Sequence, residues 1–158
     1  LSLFTVTFYY AMNATNIYIV LKDGMAKRAQ VIMMEEDASE LTKFFQSSYL
    51  QRDQNLQIAL EGKSPYTYYT VRGIDHRLKM TWMWCWPWDT TARAEFTETI
   101  PRIDGRVKSS SADAARALYG DGFEYPPKWQ GGRYAATLVK ENGQWHVRSL
   151  TLLAQVDE

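Results

Sequence analysis

Asp75-His76 is the one adjacent acid and imidazole in this 158-residue sequence, the kind of pairing that could move a proton. A general base must reach its substrate within hydrogen-bond distance. Neighbouring residues on a strand point to opposite faces, so the two would not share a pocket once a strand has begun. The plainer reading makes Asp75 part of a turn, GID, ahead of a strand. His146, beside Trp145, is a lone strand histidine, ordinarily a surface or hydrogen-bonded core residue. Glu35, Glu36 and Asp37 are consecutive, lack the spacing of a calcium loop and read as a solvated connector between helices. Asn13-Ala14-Thr15 has the form of a glycosylation acceptor, which has meaning in a eukaryotic secretory chain alone. Two histidines and the single Cys85 are too few for a histidine-rich or multi-cysteine metal cage, and one cysteine excludes an internal disulfide. No catalytic, cofactor-binding or metal-ligating residue is assigned.

Aromatic residues carry more of the signal. The stretch WMWCWPWD, residues 82–89, places four of the six tryptophans on alternate positions. Leu78 and Met80 precede them at the same parity, so an unbroken twofold phase puts Trp82, Trp84 and Trp86 on the buried face of a sheet, packed on the first helix. A pocket lining is the second reading of that row. Trp88 lies beyond Pro87 and suits a rim or interface, where tryptophan is enriched. Cys85 falls on the other face as a small apolar side chain. Farther on, Tyr125 and Trp129 flank Pro126-Pro127 in a rigid aromatic loop that suits docking or covers the end of the domain. The candidate pocket or interface residues are therefore Trp82, Trp84, Trp86, Trp88, Tyr125 and Trp129.

Eighteen basic residues balance eighteen acidic ones, and no stretch has the basic excess that phosphate neutralisation requires, so nucleic acid is excluded as a partner. A hydrophobic content of 46% over this length supports one domain with a real core. The chain opens on Leu1 and carries no charge through Leu21, which reads as a fragment or processed chain with the remnant of a membrane anchor in residues 1–15. The start of an amphipathic first helix, or a buried strand, is the competing reading, because TVTFYY is also rich in strand formers.

Residues 17–37 have the three-and-four apolar spacing of a helix, with Thr15 or Asn16 as cap and Gly24 as a weak point or kink. Residues 38–53 predict a second helix capped by Ser39, and QNLQIALEGKSP closes the helical part. From Tyr66 the period becomes twofold. YTYYTVRG, HRLKMTWMWCW and TARAEFTETI are strand candidates separated by turns at GID and PWDT. Residues 103–132 read as a long surface excursion around one helical turn at ADAARALYG. The last strand pair, RYAATLVKENGQWHVRSLTLL, is joined at Asn142-Gly143, which suits a two-residue hairpin.

Helices followed by five or six antiparallel strands predict an α+β fold, N-terminal helices packed on a curved antiparallel sheet. In that order, and in the hairpin LVKENGQWHV with Trp145 directly after the turn, residues 16–158 resemble the NTF2-like, or SnoaL-like, superfamily of cone-shaped domains, a cystatin-like roll. The resemblance implies a conical cavity, which some members use for proton transfer or small-molecule binding, while others are non-catalytic assembly domains, including membrane-tethered extracytoplasmic ones. The reading that follows is a non-enzymatic, membrane-anchored extracytoplasmic accessory domain with a membrane-associated protein partner or self-association. The alternative is a binder of a small apolar ligand, or an isomerase-like protein, with the tryptophan row lining its cavity.

Overall fold

The computed structural model describes residues 2–156. Leu1, the first residue of the expected anchor, and Asp157 and Glu158, the end of the expected domain, lie outside them. The fold is α+β: a long N-terminal helix packs against a curved four-stranded antiparallel sheet. Helix α1 spans Leu3–Met34, 32 residues and about 48 Å at 1.5 Å per residue. Its cap is Ser2, whose hydroxyl accepts from the Thr5 amide, so the expected start at residue 17 is about four turns late. Thr15 is helix interior and donates to the Ala11 carbonyl. Ile17, Leu21, Met25, Ala29, Ile32 and Met33 form the buried stripe. Glu35 in a left-handed conformation ends the helix.

Gly24 does not break α1, which runs through it without interruption. A Cβ at this position would come within 2.8 Å of Phe44 Cβ, so glycine is what lets the following segment approach the helix. That segment departs from the expected single helix over 38–53. A 3-10 turn covers Ala38–Lys43, and helix α2 covers Ser47–Arg52. Between them the chain is extended, because Phe44 and Gln46 exchange backbone hydrogen bonds with Val147 and cover part of the sheet edge. Asp37, not Ser39, is the first cap, accepting from the Ser39 amide. Helix α3, Gln54–Leu60, is capped by Asp53.

Strands β1 (Tyr69–Trp84), β2 (Thr91–Val107), β3 (Gly131–Glu141) and β4 (Gln144–Val156) pair in sequence order, and the short helix α4, Ala112–Tyr119, lies between β2 and β3. Four strands replace the expected five or six because the turn predicted at GID does not form. Gly73 and Ile74 pair with Asp104 and Ile103, merging two candidate strands into β1 and drawing the start of the supposed surface excursion into β2. The turn at PWDT and the hairpin at Asn142-Gly143 are as expected, the latter with φ of 51° and 79°.

Irregularities at Arg72 and near Thr81 interrupt the pairing of β1 with β2. Each reverses the inward parity. Tyr69 and Val71 are buried before the first, Leu78 is buried after it, and Cys85 is buried after the second. Met80 pairs with Phe96 but Trp82 with Glu95, so Met83 comes opposite the buried Ala94. The predicted burial of the tryptophan row is therefore overturned. Trp82, Trp84 and Trp86 are close to half exposed, and Cys85, expected on the opposite face, is in the core.

Helix propensity alone would make Gly24→Ala stabilising by about 1 kcal/mol. The Phe44 contact reverses the sign: urea unfolding is expected to show a net loss of about 1–2 kcal/mol, and a gain would show that the packing at Phe44 yields freely.

Candidate functional site

At the end of the molecule where α1 begins, the helix and the β1–β2 loop form one aromatic surface. Tyr10 links them: its hydroxyl donates to the Met83 carbonyl at 3.2 Å and its ring lies 5.9 Å from that of Trp84. Asn13, buried, donates to the Pro87 carbonyl at 3.5 Å, which leaves the apparent glycosylation acceptor inaccessible. Trp84 meets Trp86 edge to face at 4.9 Å, and Trp86 stacks on Trp88 at 5.3 Å. These contacts fix the rings relative to one another without burying them. Trp88 is 64% exposed, and Leu3 and Phe4 are each 82% exposed, with Phe8, Tyr9 and Met12 also open to solvent. Beside Trp82 a shallow groove of about 490 Å³ crosses the outer sheet face between Arg93, Glu95, Ala135 and Thr137.

The interior holds a second group of residues. Arg28 of α1 donates from Nε to Asp53 Oδ2 at 2.6 Å and from Nη2 to Oδ1 at 3.1 Å. The Tyr49 hydroxyl and the Leu56 amide also donate to Asp53. Burial disfavours the charged form of both members, but their mutual hydrogen bonds and charge outweigh it, holding Asp53 below the usual carboxylate range and Arg28 above its ordinary value. Glu98 of β2 is fully buried. Its Oε2 lies 2.8 Å from His76 Nε2, and its Oε1 accepts from the Trp129 indole at 3.3 Å. The hydroxyls of Tyr49 and Tyr134 are pushed up, chiefly by burial.

These positions resolve the earlier candidates. Asp75 and His76 lie in β1 and point apart: Asp75 pairs with Arg77 at the surface, while His76 turns inward to Glu98. Pro101, without an amide hydrogen, sits where the β1–β2 ladder skips from Asp75–Arg102 to Arg77–Thr99, beside His76. Burial raises the Cys85 thiol, whose sulfur contacts the Trp86 carbonyl. His146 approaches the Gln144 carbonyl on its own strand. The aromatic loop divides: Tyr125 is exposed beneath the Arg106 guanidinium, 4.5 Å from its ring centre, and Trp129 packs inward. Among the described residues no cluster of three or more histidine, cysteine or acidic side chains could hold a metal, and no helix is long and apolar enough to cross a membrane.

No family model, curated protein or solved structure matches this chain. Glu98 and Arg28 were missed in the sequence, although each carries a legible signal. Glu98 shares the parity of Phe96 and Ile100, and Arg28 falls on the helical stripe between Met25 and Ile32. A charge on an apolar row requires a buried partner. Near Trp129, a cleft of about 330 Å³ opens between α1, α3 and the sheet, with Ile32, Ile58, Tyr66, Tyr134 and Leu152 among its walls.

Two outcomes test the interior. Asp53→Asn strands the Arg28 charge and is expected to cost about 3–5 kcal/mol at neutral pH. Because the folded-state value of Asp53 is depressed, its stabilisation is complete above the ordinary carboxylate value of about 4 and is lost as the pH falls through the depressed one. Urea unfolding against pH should thus show a shallower acid loss in the variant than in the wild type; parallel acid limbs would contradict the pairing. For the other pair, His76→Leu leaves Glu98 Oε2 without its hydrogen-bond partner at a cost of about 3 kcal/mol. The double change His76→Leu with Glu98→Leu should cost less than the sum of the singles by at least about 1 kcal/mol, and strict additivity would rule out their coupling.

Proposed function

We propose that this chain is a non-catalytic, membrane-tethered accessory or assembly domain of the NTF2-like type, acting on the extracytoplasmic side by seating its aromatic end on a membrane-associated protein. The carrying observation is the set of exposed apolar side chains on the first turns of α1 together with the exposed Trp84–Trp86–Trp88 cluster, joined through the Tyr10–Trp84 contact. Contiguous apolar surface of this kind marks interaction sites in soluble domains. Tethering in this reading runs through the membrane-associated protein on which the uncharged first turns of α1 are seated; no described helix has the length and apolarity to cross a membrane. The NTF2-like assignment is supported by a long helix against a curved antiparallel sheet and by the β3–β4 hairpin.

Protein fits the surface better than lipid for two reasons. Helices that lie in a lipid interface usually carry lysine or arginine on the polar side, whereas the first basic residue here is Lys22. Trp84, Trp86 and Trp88 are also braced against one another, and Trp82 borders a groove edged by Arg93 and Glu95, which supports the apolar centre and polar rim of a protein interface. The interior polar groups support a non-catalytic role in that Arg28, Asp53, His76 and Glu98 are engaged with one another.

Co-sedimentation with membranes of the source organism tests this reading. Binding should fall by about 30-fold or more when Trp84, Trp86 and Trp88 are changed to alanine together, the equivalent of losing at least one strong interface anchor. It should also disappear when the membranes are first stripped by protease. Equal binding to protein-free vesicles of the extracted lipids would replace the protein partner with the bilayer, and wild-type binding by the triple variant would remove the aromatic end from the account.

A further inference from the structure

We propose that the outward side of α1 pairs this chain with a second copy of itself. A helix packed on one sheet is ordinarily apolar along one side, but the first half of α1 is apolar along two. A step of nine residues is about two and a half turns, so Phe4, Phe8 and Met12 lie directly opposite Asn13, Ile17 and Leu21. The latter three are buried, whereas the former are exposed. Ile19 extends the exposed stripe, opposite the buried Arg28, and is 48% exposed although it sits well inside the helix, where the sheet covers the other side. The tryptophan loop meets α1 through Tyr10 and Asn13, away from this stripe. The pairing therefore goes beyond the docking reading: Leu3, Tyr9 and the tryptophans lie off the stripe and stay open in the pair.

The relief of the stripe selects its occupant. Phe4, Phe8 and Met12, four residues apart, make a ridge of large side chains. Beside it Thr7, Ala11 and Thr15, at the same spacing and also exposed, make a row of small ones. Thr7 and Thr15 donate their hydroxyls to the carbonyls of Leu3 and Ala11, one turn back, at 2.9 and 3.0 Å, which takes the polar groups of this row out of the contact. A ridge beside a groove on one helix is complementary to itself, because a two-fold rotation lays the ridge of each copy in the groove of the other. Charge does not oppose the approach, since no charged side chain precedes Lys22. Phe4, Phe8, Met12 and Ile19 of two copies, at about 150–250 Å² for an aromatic ring, offer on the order of 1,000 Å² of cover. That is the low end for a specific interface and fits a reversible pair.

Sedimentation equilibrium of the full chain alone tests the pairing, so its outcome is separate from that of membrane binding. A closed monomer–dimer equilibrium is expected between about 1 and 300 µM. Phe8→Asp should weaken the dimer by at least about tenfold, with the melting temperature and far-ultraviolet circular dichroism unchanged because the side chain is exposed. Ala11→Leu discriminates further: it fills the groove while adding apolar surface, so interlocking predicts about tenfold weaker pairing, whereas unspecific apolar contact predicts tighter. Leu118→Asp, at an exposed apolar position on α4, should leave the dimer intact. A monomer throughout the range overturns the proposal. So does open-ended association, tighter pairing by Ala11→Leu, or a dimer that survives Phe8→Asp and is lost when Trp84, Trp86 and Trp88 are changed to alanine.

Discussion

An extended strand repeats every two residues, so one inserted residue reverses every side chain that follows it. The irregularity near Thr81 does this in β1. It brings Met83 and Cys85 to the inner face and places Trp84 on the outside, where it meets Tyr10 of α1 and begins the cluster that continues through Trp86 and Trp88. Without the reversal, these large rings would compete for the space that α1 occupies. The exposed aromatic end and the close fit of helix to sheet thus follow from the same local event. Arg72 makes the corresponding adjustment earlier in the strand, setting the parity that brings His76 inward to Glu98.

The interior combines apolar packing with two buried polar groupings, each joining elements distant in sequence. Arg28–Asp53 ties α1 to the cap of α3, and Glu98 ties β1 to the segment before β3 through His76 and Trp129. Buried ion pairs contribute little net stability relative to well-packed apolar replacements, because desolvation offsets their attraction. Their directional hydrogen bonds do discriminate among arrangements. A helix rotated out of place would leave Arg28 unpaired, and a slipped β1 would leave Glu98 facing apolar side chains, so both errors are costly.

Element types were readable wherever one period held without interruption. The stripe from Ile17 to Met33 and the Asn142-Gly143 hairpin belong to this class. The start of α1 was less legible because Leu3 to Met12 has no buried stripe and is rich in strand-forming residues. The split after Lys43 depends on Val147, about a hundred positions away, so no local pattern contains it. The same holds for the tryptophans: composition and alternation identified the candidates, but the face they occupy depends on one irregular pairing. For Glu98 and Arg28, by contrast, the information was local, since each interrupts an apolar row with a charge. Trp129 was recognised as a candidate, though its partner and its inward placement came from strand pairing.

The order of the strands has a further consequence for the chain as it leaves the ribosome. Each strand pairs with the next one made, so the sheet can grow by successive hairpins. Helix α1 is different: it is synthesised first, yet its apolar stripe is covered by β1 and by the last strand, β4. At about 5–20 residues per second, the interval from Met34 to Val156 is roughly 6–24 s. Throughout that interval Ile17, Leu21 and Met25 lack their complete cover, alongside an opening segment that remains apolar even in the finished fold. The nascent chain therefore presents an uncovered apolar helix face for seconds before the strands that bury it are complete.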